Sequence, residues 1–138
     1  MPREILNQGR ILIVDDETDI VTSLHDFFSA NGYESVGCSS AKEALEALKE
    51  REFNVLLTDL SMPEINGLAM LKAALEIKPS LVGIIMTAFG SVETAVEAKK
   101  VGAFDYILKP FRFSELLLIV SHAMETHRVR ESERSTTG

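Results

Sequence analysis

Three short apolar runs punctuate the chain: Ile11-Leu12-Ile13-Val14, Val55-Leu56-Leu57 and Leu81-Val82-Gly83-Ile84-Ile85-Met86. Each has the length of a strand and is largely β-branched or leucine. Continuous runs of this kind suit parallel strands buried on both faces, whereas half-exposed strands alternate. Residues 33–38 and 105–108 read as two weaker strands. Between the runs the period changes to that of a helix. Ile20, Val21, Leu24, Phe27 and Phe28 share one helix face, and Asn31-Gly32 supplies residues that tolerate a left-handed helix end. Ser40 followed by Glu43 forms a capping box ahead of Ala44, Leu45, Ala47 and Leu48. Leu68, Leu71, Ala74 and Leu75 mark a third helix, stopped by Pro79. Val92, Ala95, Val96 and Lys99 mark a weakly apolar fourth that closes near Gly102. A fifth runs from about residue 112 towards 128.

Five strands alternating with five helices predict an α/β fold of the (βα)5 kind. Its parallel sheet is covered by helices on both faces and joined by right-handed crossovers. Residues 1–9 form a lead-in, 10–128 the domain, and the polar run 129–138 a tail or linker. Composition agrees. A chain of 138 residues fits one domain with a real core, and 46% apolar with 25% charged residues excludes a disordered chain. The net charge of −7 argues against direct nucleic-acid binding by this domain. No run reaches the roughly 18–20 apolar residues of a membrane span, and the first ten residues lack a signal-peptide core, so a cytoplasmic protein without membrane contact is expected. Cys38, the lone cysteine, has no intrachain partner and reads as a small buried hydrophobe. His25, His122 and His127 lack metal-ligand grouping and read as surface residues.

The chemistry sits where the strands end, since open parallel sheets gather function at their carboxyl edge. Asp15-Asp16 follows the first strand, Asp59 the third, Thr87 the fourth and Lys109 the fifth. Alone, each has a bland explanation: acids favour a helix N-terminus, threonine caps, lysine is solvated. Together they place three carboxylates, a hydroxyl and an ammonium on one edge. Three such acids resist joint ionisation, and a hard divalent cation, Mg²⁺ or Mn²⁺, resolves the conflict. One carboxylate can then attack phosphorus, with the metal and Lys109 offsetting phosphoryl charge and Thr87 donating a hydrogen bond.

The segments ILIVDDE (11–17), LLTDLSMPEINGL (56–68), IIMTAFGS (84–91) and GAFDYILKPF (102–111) closely resemble the receiver domain of two-component response regulators. The resemblance covers residues 10 to about 124. It implies a flavodoxin-like, doubly wound sheet of five parallel strands in the order 2-1-3-4-5. It implies that Asp59 accepts a phosphoryl group from a sensor histidine kinase. Asp15 and Asp16 would position Mg²⁺, with Asp16 the direct ligand, and the backbone carbonyl of Ser61 would add a further ligand. Thr87 and Tyr106 are the implied switch pair, Lys109 contacts phosphate, and the Lys109–Pro110 bond is expected to be cis. Leu60, Ser61, Ala88 and Phe89 flank the site and would tune the lifetime of the phosphate. Such a domain catalyses only its own phosphorylation and dephosphorylation and is not a conventional enzyme. Phosphorylation would change a surface made by the fourth helix, fifth strand and fifth helix.

The run TAFGSVETAVEAKKVGAFDYILKPF looks most like receivers of the nitrogen-regulation type, which precede an ATPase acting on an alternative sigma factor. A role in transcription regulation follows from that likeness. This sequence has no Walker A segment and no helix-turn-helix after the receiver, so it is either a stand-alone receiver or part of a longer protein with an ATPase and a DNA-binding domain. In the fifth helix Phe113, Leu116, Leu117, Val120 and Met124 suffice for a core stripe. Leu118 and Ile119 are left over as a partner or homodimer surface. Two other functions fit an α/β sheet. An aspartate-nucleophile phosphatase resembles D-x-D-x-[TV] after its first strand, where this chain has D-L-S-M-P after its third. An FMN-binding flavodoxin-like module needs a phosphate loop where Asp15-Asp16-Glu17 stands.

Overall fold

Strands whose every residue faces a covered side must sit in the middle of a sheet, and the computed structural model places them there. It describes residues 8–88 and 90–137, so residues 1–7 of the lead-in, Phe89 and Gly138 lie outside the description. The elements follow in strict alternation: β1 (Arg10–Val14), α1 (Thr18–Ala30), β2 (Glu34–Cys38), α2 (Ala41–Glu50), β3 (Val55–Asp59), α3 (Gly67–Ile77), β4 (Val82–Thr87), α4 (Val92–Val101), β5 (Asp105–Leu108) and α5 (Phe113–Thr137). All strand pairs are parallel and the order is β2-β1-β3-β4-β5. Every residue of β3 and β4 is buried, as the unbroken apolar runs require. The edge strands β2 and β5 are only partly covered.

Alternation along each strand divides the core in two. Leu12, Val14, Leu56 and Ile85 face one side, where Ala44 and Leu48 of α2 and Met70, Leu71 and Ala74 of α3 cover them. Ile11, Ile13, Leu57, Ile84 and Met86 face the other, under Leu24 and Phe28 of α1 and Leu116, Val120 and Ala123 of α5. Gly83 leaves room for Leu71, because a Cβ there would stand 2.3 Å from Leu71 Cδ1 and the leucine would have to shift.

The helix ends follow local chemistry. Ser40 Oγ accepts the Glu43 N–H at 3.2 Å, but Glu43 answers the Ser39 N–H and hydroxyl, both at 3.0 Å, so the box is displaced by one residue. Asn66 and Ser91 cap α3 and α4 through the Ala69 and Thr94 amides. Gly102 closes α4 with φ +107°, and Gly32 rather than Asn31 takes the left-handed turn after α1.

Four expectations about the helices change. α5 does not stop near residue 128 but continues to Thr137, so the polar run is helical there. Phe113 is not core: it is 39% exposed, with its ring 4.7 Å from that of Phe27 and 6.3 Å from that of Phe111. Ile119 is half-buried against the α1–α5 core, which leaves Leu118, 59% exposed, as the open member of that pair. His127 is not a surface residue either, its side chain being 15% exposed and bonded to Asn54. Cys38 is buried, and burial with the Glu43 charge pushes its thiol up to about 11, so it is inert as read. No helix among the described residues is long and apolar enough to cross a membrane.

The Gly83–Leu71 contact gives a stability test. Gly83→Ala alone is expected to cost about 1–3 kcal/mol by overpacking, and Leu71→Ala alone about 2–5 kcal/mol by leaving a cavity. In the double variant the new methyl occupies part of that cavity, so urea denaturation should give a total loss smaller than the sum.

Candidate functional site

Parallel strands all end at one edge, and here the pairing continues one bond past the strands. Asp15 N–H donates to Cys38 O (3.1 Å), Leu60 N–H to Met86 O (2.8 Å) and Lys109 N–H to Thr87 O (2.8 Å). These bonds fix the backbone that carries the side chains of interest. Asp59 and Thr87 are the last residues of β3 and β4, both buried. Asp15 follows β1 and is fully buried, whereas Asp16 beside it is exposed.

The structure brings the expected acids together. Carboxylate oxygens of Asp15, Asp16 and Asp59 lie within 4.8 Å of one another. The Lys109 ammonium stands among them, 2.8 Å from Asp15 Oδ2 and 3.2 Å from Asp59 Oδ1. Glu17 is a further partner that the sequence reading passed over, its Oε1 3.6 Å from the same ammonium. Asp15 also accepts the Glu17 N–H on Oδ1 at 2.9 Å, so both of its oxygens are engaged. Burial raises the pKa of Asp59, and Asp15 raises it further; Lys109 opposes this, and Asp16 adds a smaller push upward. For Lys109 burial pulls down, but the hydrogen bond and charge of Asp15, then of Asp59, outweigh it and leave the pKa above its ordinary value. One ammonium thus balances several carboxylates, and Asp59 bears the remaining repulsion.

The loop after Asp59 is tied to the site by Gly67. Its N–H donates to Leu60 O at 2.7 Å, and a Cβ there would stand 2.4 Å from Asp59 O. Gly67 lies within the run quoted above, but its signal is a close backbone approach that only the fold reveals. Thr58 Oγ1 donates to Asp59 O at 3.1 Å. Ser61 is exposed two residues beyond Asp59 and, with Leu60, lines a cleft of about 500 Å³ that reaches Glu93 and Glu97 of α4. Ala88 is exposed just after Thr87. Tyr106 is half-buried in β5, opposite Ile85, and packs against the α2–α3 core. The Lys109–Pro110 peptide bond is cis.

Comparison with known proteins settles the family. The family model described as the response regulator receiver domain matches residues 11–121. The chain belongs to this family. Its fold is thus that of a receiver. The receiver is 39% identical over 130 residues to the transcriptional regulatory protein ZraR of Klebsiella oxytoca, covering 94% of this chain and 29% of the relative. It is 35% identical over 130 residues to the DNA-binding transcriptional regulator NtrC of Escherichia coli K12, covering 94% and 28%. Among solved structures, the beryllofluoride-activated NtrC4 receiver domain dimer matches with a TM-score of 0.82 and 37% identity, over 86% of this chain and 98% of that one. The receiver therefore spans less than a third of the length of these curated relatives.

The charge imbalance predicts a pH signature. Because the folded-state pKa of Asp59 lies above its unfolded value, ionising it costs stability. That cost is absent below the ordinary carboxyl range, grows as pH rises from there to the raised value, and is complete above it. Asp59→Asn is therefore expected to melt at a higher temperature than wild type at pH 7 without metal. The advantage should fade in thermal scans below about pH 4.

Proposed function

We propose that this receiver takes a phosphoryl group on Asp59 from the phosphohistidine of a sensor histidine kinase in the cytoplasm. The observation that carries the reading is the Asp59 carboxylate held 3.2 Å from Lys109 inside the Asp15–Asp16 cluster. In the transfer one Asp59 oxygen forms the bond to phosphorus while the bond to the histidine nitrogen breaks, and that nitrogen keeps the electron pair. Lys109, already beside the acceptor, pairs with the incoming phosphoryl oxygens. The donor set suits Mg²⁺ or Mn²⁺, being oxygen-only and short of positive charge. Asp15, Asp16, Asp59 and the Ser61 carbonyl are the proposed holders, with Asp16 the open direct ligand because Asp15 is already engaged by Lys109 and Glu17. A cation bound there supplies Lewis-acid stabilisation of the phosphoryl oxygens.

The consequence of phosphorylation is a change of surface. In this reading Thr87, the last residue of β4, moves inward to bond the new phosphoryl group, and Tyr106, opposite Ile85 in β5, turns into the space that Thr87 leaves. Within α4 the buried residue is Ala98, while Val92 and Val96 are 81% and 48% exposed, so this helix is held by little apolar contact. Leu108 and Leu118 are exposed as well, so α4, β5 and α5 each offer apolar side chains to a partner surface. That surface is the proposed control point for an output domain or for a second receiver. The names of ZraR and NtrC support an output in transcription, with DNA binding in a longer protein, and the NtrC4 structure supports a dimer; an ATPase domain rests on the likeness of residues 87–111 alone. The domain acts on itself, through phosphorylation and hydrolysis of its own phosphate, and turns over no external substrate.

Acetyl phosphate with Mg²⁺ is expected to add one phosphoryl group to wild type and none to Asp59→Ala, read by intact mass, and a chelator should abolish the gain. Turnover of phosphate esters without labelling would instead favour an aspartate-nucleophile phosphatase, and a yellow purified protein an FMN module. Beryllofluoride with Mg²⁺ is expected to shift the NMR signals of Thr87, Tyr106 and α4. Light scattering should show dimers only in that state, and a monomer in both states would reject dimerisation.

A further inference from the structure

The amino end of the sheet, opposite the acidic cluster, carries polar chemistry that the proposed phosphoryl transfer does not use. Asn54, one residue before β3, is wired into three strands. Its N–H donates to Arg10 O at 2.9 Å, its carbonyl accepts the Val82 N–H at 3.2 Å, and its Oδ1 accepts the Arg10 N–H at 2.8 Å. The last bond fixes the amide orientation and aims the NH2 group at α5. There Asn54 Nδ2 lies 3.1 Å from His127 Nδ1. An amide NH2 can only donate, so Nδ1 is the acceptor and the ring proton sits on Nε2. Glu131 lies on that side, its carboxylate 3.8 Å from Nε2.

Two further contacts seat the same stretch of helix. Arg130 Nη1 donates to Leu81 O at 2.9 Å, at the entry to β4. At the entry to β1 Gly9 adopts φ +139°, and a Cβ there would stand 2.4 Å from Met124 Sδ, so the Met124 side chain of α5 fills the space a larger residue would take. The polar carboxyl-terminal turns are therefore held by directional bonds to the sheet rather than by an apolar face.

We propose that Asn54 and His127 form a proton-sensitive latch that seats the carboxyl-terminal turns of α5 on the sheet, closed when the imidazole is neutral and open when it is protonated. A proton on Nδ1 turns the acceptor into a donor facing the Asn54 NH2. Asn54 cannot turn to meet it without giving up Arg10. The surrounding charges do not reverse this. Burial, the largest effect, holds the imidazole below its ordinary pKa, and Arg130 acts in the same sense, against Glu131 and Glu52. Glu52, in the loop before β3, is itself paired with Lys78 at the end of α3. Lys78 and Arg134 line the cavity on one side of the ring. Tyr33, neutral with a raised pKa, and the Glu125–Arg128 pair line the other.

The test uses the whole unphosphorylated chain without metal, so its result is independent of Asp59. NMR titration should show His127 protonating below the ordinary imidazole range. Amide-exchange protection of residues 126–134 should fall roughly five- to tenfold across that titration, the equivalent of one buried hydrogen bond, with β1 and β3 unchanged. Asn54→Asp should invert the sign, since the introduced carboxylate accepts from the imidazolium: His127 then titrates above about 6.5 and protection rises as pH falls. His127→Gln offers an amide oxygen to the Asn54 NH2 and cannot be protonated, so protection should lose its pH dependence. The latch is overturned if His127 titrates in or above the ordinary imidazole range in wild type, or if His127→Gln keeps the wild-type pH dependence. An Asn54→Asp protein that folds with the sign unchanged also overturns it; if that variant does not fold, the two other measurements decide.

Discussion

One charge conflict organises this domain: several carboxylates, two of them buried, converge on a single ammonium at one edge of the sheet. Asp15 is fully buried and Asp59 nearly so, with Lys109 shared between them and Glu17. In water such a group would relax by moving apart. Here Asp15, Asp59 and Lys109 cannot, because backbone bonds at Asp15, Leu60 and Lys109 continue the parallel ladder past the strands that carry them. The site is therefore pre-organised and under-neutralised at once, the condition in which added cation or a charge-changing modification has the largest effect.

The parallel sheet makes that conflict possible. Strands buried on both faces can end in charged residues only at the sheet edge, and the order β2-β1-β3-β4-β5 places the ends of β1 and β3 side by side, with β4 and β5 next. The two halves of the core differ in grip. α1 and α5 close one face with large side chains from Leu24 and Phe28 to Leu116 and Val120. On the other face α2 and α3 pack closely, whereas α4 contributes Ala98. The element nearest to Thr87 and Tyr106 along the chain is thus the least firmly held, which confines any response to one flank.

What could be read from the chain divides along the same physical line. β1, β3 and β4 announce themselves because burial on both faces forces continuous apolar runs, and Asp15, Asp59, Thr87 and Lys109 follow because they stand where those runs stop. Gly67 and Glu17 did not stand out: one matters through a backbone approach of 2.4 Å to Asp59 O, the other through an ion pair across the fold. The end of α5 was misplaced because residues after 128 carry no apolar period. Their helix is held by Arg130 and His127 reaching sheet atoms near positions 81 and 54, distant in sequence. Phe113 and Ile119 exchanged environments for a similar reason, since the approach of Phe27 and Phe111 sets which face of the first turns is covered.

The two ends of the sheet therefore embody opposite uses of polar groups. At the carboxyl edge charges outnumber their partners, and burial, with the Asp15 charge added to it, holds Asp59 above its ordinary pKa. At the amino edge Asn54 and His127 are neutral and matched donor to acceptor, with the Asn54 backbone also bonded to Arg10 and Val82. A matched neutral network loses stability whenever one member changes its hydrogen-bonding role, whereas an unmatched charged one can gain from an added partner. A cation added at the first would thus be stabilising, and protonation at the second is a releasing event. α5 spans both, from Phe113 near the acidic edge to the seat at His127, so its two ends answer to different chemistry.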